Sequence, residues 1–298
     1  MSSQTPPIKT ALEQLVKVIG FSHILIACGA GVSVFITGFL LGLGDMFSDP
    51  AIFISTCTGL GYSLQRVIKA RFFPLTINEP RLEYLNQFGG VLIMVWGGLF
   101  IASMFFAELK LNFVSLLALV TLGIACLSYA ILPKRFQSFG RALREYPYAK
   151  LPTIALIWGS ATVFLPIVLV DDVVELNPLT LAAVFMYRVF YIGGLTLPFD
   201  VRDIEVDSPS MKTIPQVMGV KTSLLIATCL IAISAIITSG LVFLDFTNPQ
   251  IGLSLLAHSL VSMVFVGLWV IRKTTPEFYF SIVLDGLLSI QIGALLFL

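Results

Sequence analysis

Nine stretches of mostly apolar residues follow one another through the chain, each with the length of about 20 residues that a helix needs to cross a hydrocarbon layer of about 30 Å. They run over residues 19–43, 50–69, 88–107, 112–132, 151–171, 178–198, 220–241, 250–271 and 278–298 of the 298. Composition agrees: 57% of residues are hydrophobic and 12% charged, whereas soluble domains carry about 25% charge to cover their surface. The pattern predicts an all-α integral membrane protein with nine transmembrane helices, forming a single polytopic domain over residues 1–298. The polar segment 1–18 has no apolar run ending in a small-residue cleavage site, so the first span is read as retained. Pro166 and the pair Gly193 and Gly194 are expected to bend their spans.

Lys and Arg test this division, because short cytoplasmic loops carry the positive excess. With nine spans, 16 of the 18 basic residues fall in the N-terminal segment and the loops after spans two, four, six and eight. The opposite loops hold Lys110 among the acids Asp45, Asp49, Glu108, Asp171, Asp172, Glu175 and Asp245. One span more or fewer would break the alternation, which puts the N-terminus in the cytoplasm and the C-terminus outside. The net charge of +1 offers no field for nucleic acid. Cys28, Cys57, Cys126 and Cys229 sit singly in apolar runs without metal-site or paired spacing and read as small hydrophobes.

One predicted cytoplasmic loop departs from the basic rule. FDVRDIEVDSPSMKTIP, residues 199–215, carries Asp200, Asp203, Glu205 and Asp207. The three aspartates stand at i, i+3 and i+7, on one stripe if the segment is helical. Such a stripe repels itself unless a cation relieves it, and a hard divalent ion with oxygen ligands such as Mg²⁺ would do so. The bland alternative is a solvated acidic loop.

The order LPFDVRDIEVD followed by MKTIP resembles the second aspartate motif of the UbiA superfamily of intramembrane prenyltransferases. Asp203 and Asp207 form DxxxD, Asp200 is the preceding acid, and Lys212 to Pro215 form the downstream tail. SYAILPKR, residues 128–135, is similar to the family segment whose Tyr and Lys meet the diphosphate, here Tyr129 and Lys134. The resemblance implies a helical bundle around a central lipid-open cavity. It implies Mg²⁺ on Asp200, Asp203 and Asp207, and an isoprenyl diphosphate held by the metal and by Arg66, Lys69, Tyr129, Lys134, Arg202 and Lys212. The prenyl group would pass to an aromatic or other lipophilic acceptor.

The family's first motif, NDxxDxxxD, belongs at the end of span two, where the chain reads GYSLQRVIKAR, residues 61–71. Tyr62 takes the Asn place, Arg66 and Ala70 take acid places, and Gln65 is the nearest oxygen donor. Three readings follow: a working enzyme with one metal cluster and a basic rim, one acting on a related lipid diphosphate, or a lipid-binding protein that keeps the fold without the reaction. A small-molecule transporter is the rival from another class, though no internal repeat supports it.

Within the spans, Arg188 lies 12 residues before Asp200, or about 18 Å along a helix. A guanidinium at that depth needs a partner, and Asp285 in span nine is the expected one. His23 and His258 read as packing or interhelix hydrogen bonds. EFYF, residues 277–280, suits an interfacial aromatic belt, and the basic run 134–150 suits an amphipathic helix over anionic lipid.

Overall fold

The structure is a computed structural model that describes residues 7–72, 74, 79–130, 146–170, 175–267, 271–272 and 275–293. Its described regular structure is helical. The helices are α1 (Pro7–Phe21), α2 (Ile24–Leu40), α3 (Ser48–Phe72), α4 (Glu79–Phe106), α5 (Phe113–Ala130), α6 (Lys150–Gly159), α7 (Leu165–Leu169), α8 (Pro178–Arg202), α9 (Ile214–Phe243), α10 (Pro249–Val266) and α11 (Asp285–Ile290). A π turn, Ser160–Phe164, joins α6 to α7, and another, Tyr279–Leu284, leads into α11.

Helical structure overlies each of the nine predicted spans, but fewer qualify as crossing helices. Among the described residues five helices are long and apolar enough, or six if α1 and α2, bent by 47°, act as one broken span. The shortfall has identifiable causes: α3 bears Asp49, Arg66, Lys69 and Arg71 at its ends, and the apolar helices Phe113–Tyr129 and Tyr279–Gly293 are shorter than a full span. The run 131–145, which holds Lys134 and most of the expected amphipathic helix, lies outside the described residues.

Local chemistry sets the ends that matter. Asn177 caps α8, its Oδ1 accepting from Leu179 N at 2.9 Å, with Pro178 in the first turn where its missing N–H costs nothing. Gln216 Oε1 accepts from Thr213 N at 3.0 Å, and Gln216 Nε2 donates to Asp207 O at 3.0 Å, so the head of α9 is tied back to the acidic turn. Gly219 takes φ 79° and ψ 166°, a break that only glycine adopts readily, and the long part of α9 begins just beyond it. Pro166 has no N–H for the preceding turn, and the helix passes through the π turn directly before it.

The helices pack as α8 on α9, α2 on α3 and α11, α3 on α4, α10 on α9, and α6 on α8. The largest core joins Tyr191, Leu195 and Leu197 of α8 to Leu224, Ala227 and Ile231 of α9 and to Phe280, Leu284 and Leu287. Gly194 lets α9 approach α8, since a Cβ there would stand 2.6 Å from Ile231 Cγ1 and 2.7 Å from the Ala227 carbonyl oxygen. A hollow of about 460 Å³ lies beside Ile204, Glu205 and Lys212, and another of about 230 Å³ beside Asp49, Thr56 and Ser103.

Gly194→Ala is expected to force α8 and α9 apart and to destabilise the bundle by about 1–3 kcal/mol, as overpacking generally does. Gly193→Ala, whose Cβ would meet only Leu230 Cδ1 at 3.5 Å, is expected to be neutral or slightly stabilising. Thermal unfolding of the two variants in the same detergent checks the contrast.

A candidate anion site built on salt-bridged aspartates

The acidic stretch is not a continuous helix. α8 stops at Arg202, Asp203 occupies its C-cap, and Asp207 follows a single further turn closed by Asp207 N donating to Asp203 O at 2.8 Å. The expected stripe is thus one helical aspartate and two on a turn. Lys212, in left-handed backbone at φ 45°, closes the loop and points outward.

Each acid faces a resident cation. Lys150, the first residue of α6, places Nζ 2.7 Å from Asp200 Oδ1 and 2.5 Å from Asp207 Oδ2. The Asp207 contact is an aligned hydrogen bond, whereas Asp200 Oδ1 lies off the donor direction and has no hydrogen-bond partner. Asp200 is 1% exposed and the Lys150 side chain 12%, so this charge pair is almost dry. Arg202 grips Asp203 with both ends of its guanidinium, Nε to Oδ1 at 2.7 Å and Nη2 to Oδ2 at 3.1 Å. Its Nη1 reaches both oxygens of Glu277 at 3.2 Å, and Arg81 Nη2 meets Glu277 Oε1 at 3.2 Å. Burial alone would raise the Asp203 carboxyl, but the Arg202 guanidinium, with Lys150 and Arg66 adding to it, holds it well below the usual carboxylate range.

α3 brings Arg66 to the same cluster, where its charge acts on Asp203, Arg81 and Asp285. Tyr129 acts on Lys150 in the same way. Tyr62 is half-buried against the main core and beside His23, with ring centroids 6.1 Å apart. Gln65 and Lys69 lie half-buried on the last turns of α3. Thus Asp200, Asp203, Asp207, Arg202, Arg66 and Tyr129 come together, Lys212 does not join an ion pair among the described residues, and Lys134 lies outside them.

Arg188 does not pair with Asp285. Its Nη1 donates to Ser33 Oγ at 2.9 Å and Gln291 Oε1 at 3.0 Å, and its Nη2 donates to the Ser33 carbonyl at 2.8 Å and reaches Thr37 Oγ1 at 3.5 Å. Six residues separate Asp285 from Gln291, about 9 Å of helix, so Gln291 stands at the level of Arg188 while Asp285 sits nearer Arg81, Arg202 and Arg66. Tyr191, one turn further along α8, shares Ser262 at 2.9 Å and His258 at 3.3 Å, and His258 Nε2 also bonds the Leu287 carbonyl at 2.8 Å. His23 Nδ1 meets Ser63 Oγ at 3.1 Å.

Lys150, Arg81 and Glu277 are the members that sequence reasoning left out. The first two were counted only as loop charges and Glu277 as part of an aromatic belt. Each is a charge in the first turn of an otherwise apolar helical stretch, where a side chain can turn toward the neighbouring helix ends.

Comparison with solved structures finds the same architecture. A UbiA homologue from Aeropyrum pernix K1, solved without ligand, aligns with a TM-score of 0.61 over 93% of this chain and 98% of that one, at 15% identity. A UbiA homologue from Archaeoglobus fulgidus bound to GPP and Mg²⁺ aligns at 0.54 over 94% and 98%, at 14% identity. A digeranylgeranylglyceryl phosphate synthase aligns at 0.50 over 96% and 99%, at 16% identity. This chain has the fold of these UbiA homologues. No family model and no curated protein matches the sequence itself.

The UbiA likeness raises the question of Mg²⁺. Carboxylate oxygens are suitable donors for it, but here they are engaged. Among the described residues no three His, Cys, Asp or Glu side chains gather as a metal-holding group. Lys150 Nζ occupies the space between Asp200 and Asp207, Arg202 spans both oxygens of Asp203, and no carboxylate stands at residues 61–71. The side chains as arranged do not fit the ion.

Two outcomes follow. Arg188→Met should lower thermal stability more than Asp285→Asn, because it strands the Gln291 and Ser33 acceptors at about 1–3 kcal/mol per buried group; Arg188→Met with Gln291→Met should recover part of the loss in a double-mutant cycle. Because the folded-state pKa of Asp203 is depressed, the stability that it contributes is complete above the unfolded value of about 3.9 and is lost as pH falls below it. Asp203→Asn should therefore flatten the acid limb of a melting-temperature profile measured from neutrality downward.

Proposed function

We propose that this protein binds an isoprenyl diphosphate at the charged end of the bundle and transfers its prenyl group to a lipophilic acceptor within the membrane. The observation that carries this reading is the gathering of Lys150 and Arg202 on Asp200, Asp207 and Asp203, with Arg81 joined through Glu277 and the charge of Arg66 acting on Asp203, four cations from four separate helices. The neighbour from Archaeoglobus fulgidus with the same fold holds GPP and Mg²⁺, which supports a diphosphate as the anion. The excess of Lys and Arg in alternate loops supports a cytoplasmic position for this end, with the N-terminus on that side.

The chemistry asked of the side chains is electrostatic. Guanidinium groups bind phosphate oxygens in a fork and keep their charge in a dry site. As the bond from prenyl C1 to the diphosphate oxygen breaks, negative charge grows on the leaving group, and cations fixed beforehand stabilise it without reorganising. C1 then bonds to the acceptor, whose displaced proton passes to the released diphosphate or to water. Tyr129 lies near enough for its charge to act on Lys150. The apolar helix walls keep water from the allylic cation while the prenyl chain remains in the lipid.

The alternative is a UbiA-fold protein that holds a lipid diphosphate without transferring it, which the lack of carboxylates at residues 61–71 favours. Purified protein in nanodiscs, incubated with geranyl diphosphate and a panel of aromatic and lipidic acceptors, separates the two. Transfer is expected, with Arg66→Ala and Arg202→Ala each weakening geranyl diphosphate binding by at least about tenfold, or about 1.4 kcal/mol. Binding without product would leave the lipid-binding reading standing, and no binding at all would reject both.

A further inference from the structure

The geometry points to Lys150 as a resident cation that takes the place of a divalent metal between Asp200 and Asp207, with its remaining N–H directed to a diphosphate oxygen. The inference rests on the diphosphate-binding reading for its ligand and on three features of this chain for its substance.

The first is position. Nζ stands within 2.7 Å of one carboxylate and 2.5 Å of the other, in a pocket where Asp200 is 1% exposed. A second cation brought between the same oxygens would meet the ammonium at a few ångströms in a medium of low dielectric, where like charges repel strongly. The second is delivery. Lys150 comes from a helix about 50 residues away in sequence from the aspartates, and Tyr148 N donates to Met211 O at 3.1 Å, tying the chain just before α6 to the end of the acidic loop. The ammonium is held there by backbone as well as by charge.

The third is fixed charge on both sides of the site. The end of α3 carries Arg66 where the family resemblance places an acid, and the head of α6 sets Lys150 between Asp200 and Asp207. Both put positive charge where a metal ion would otherwise supply it. An ammonium has three donors; one is aligned on Asp207, Asp200 is met as an ion pair at 2.7 Å, and a donor remains for a phosphate oxygen, so carboxylate, cation and phosphate would keep the order that a bridging metal imposes. A single positive charge neutralises less than a dication, and the nearby guanidiniums of Arg66 and Arg202 supply the rest.

The test uses the full chain in nanodiscs. Geranyl diphosphate binding is measured by titration calorimetry with EDTA and again with Mg²⁺, and Mn²⁺ binding without any diphosphate is followed by electron paramagnetic resonance. Wild-type affinity for geranyl diphosphate is expected to agree within about threefold in the two buffers, and Lys150→Arg to keep that independence. Lys150→Met is expected to bind Mn²⁺ where the wild type does not. A loss of about tenfold or more in wild-type affinity on adding EDTA overturns the inference. So does an equal Mn²⁺ signal from wild type and Lys150→Met, whether strong or absent. Should the wild type bind no geranyl diphosphate in either buffer, the diphosphate reading fails and the Mn²⁺ comparison alone decides the place of Lys150. If Lys150→Met does not fold, the wild-type comparison between buffers decides it.

Discussion

Asp200 is a nearly fully buried carboxylate at the last turn of a helix that crosses the membrane, and the organisation of this end of the molecule follows from neutralising it. An isolated charge in such surroundings is prohibitively unfavourable. Lys150 answers Asp200 and Asp207 together, Arg202 answers Asp203, and Glu277 joins Arg202 to Arg81. The chain of contacts draws the heads of α4 and α6, the tail of α8 and the approach to α11 to one place. The charge of Arg66, on the tail of α3, also acts on Asp203. Such bridges add little net stability over apolar packing, but removing one partner leaves its neighbour charged and buried, which costs about 3–5 kcal/mol. The cluster therefore specifies which helix ends meet more than it strengthens the bundle.

A second set of polar contacts works on different terms in the interior. Arg188 has no carboxylate partner among the described residues and is held by a hydroxyl, a carbonyl and a side-chain amide from α2 and the turn after α11. Tyr191, His258 and Ser262 continue this register to α10. Above and below, packing takes over, with Gly194 setting the distance between α8 and α9.

How much of this could be read from the sequence depended on the range of the interaction. Apolar runs are local, so helical structure was legible throughout, and the break at Gly219 fell next to the expected start at 220. The number of crossing helices was less legible, because charged ends such as those of α3 shorten the apolar core without changing the pattern. The aspartates were legible as a motif, but their partners were not. Nothing local marks Lys150 as belonging to Asp200, 50 residues on, or Glu277 to Arg202. The expected pair of Arg188 with Asp285 failed on helical phase: opposite charge suggested it, yet Gln291, two turns along, occupied the right level. Charge complementarity chose the wrong residue where a neutral acceptor sufficed.

The contrast between the two polar levels bears on how a ligand would enter. Neutral acceptors around Arg188 gain nothing from exchanging with an incoming anion, and the guanidinium is sealed at 0% exposure, so that level is fixed. The ion pairs at the helix ends behave differently. Arg202 and Lys150 are 17% and 12% exposed at their side chains, so their charge is partly open to the outside while their carboxylates stay paired. The interior contacts of Arg188 meanwhile keep α2, α8 and the turn after α11 in register. A change of partners at the charged end would thus leave the bundle in register, because the contacts that hold α2, α8 and the turn after α11 together lie one layer deeper than the ion pairs at the helix ends.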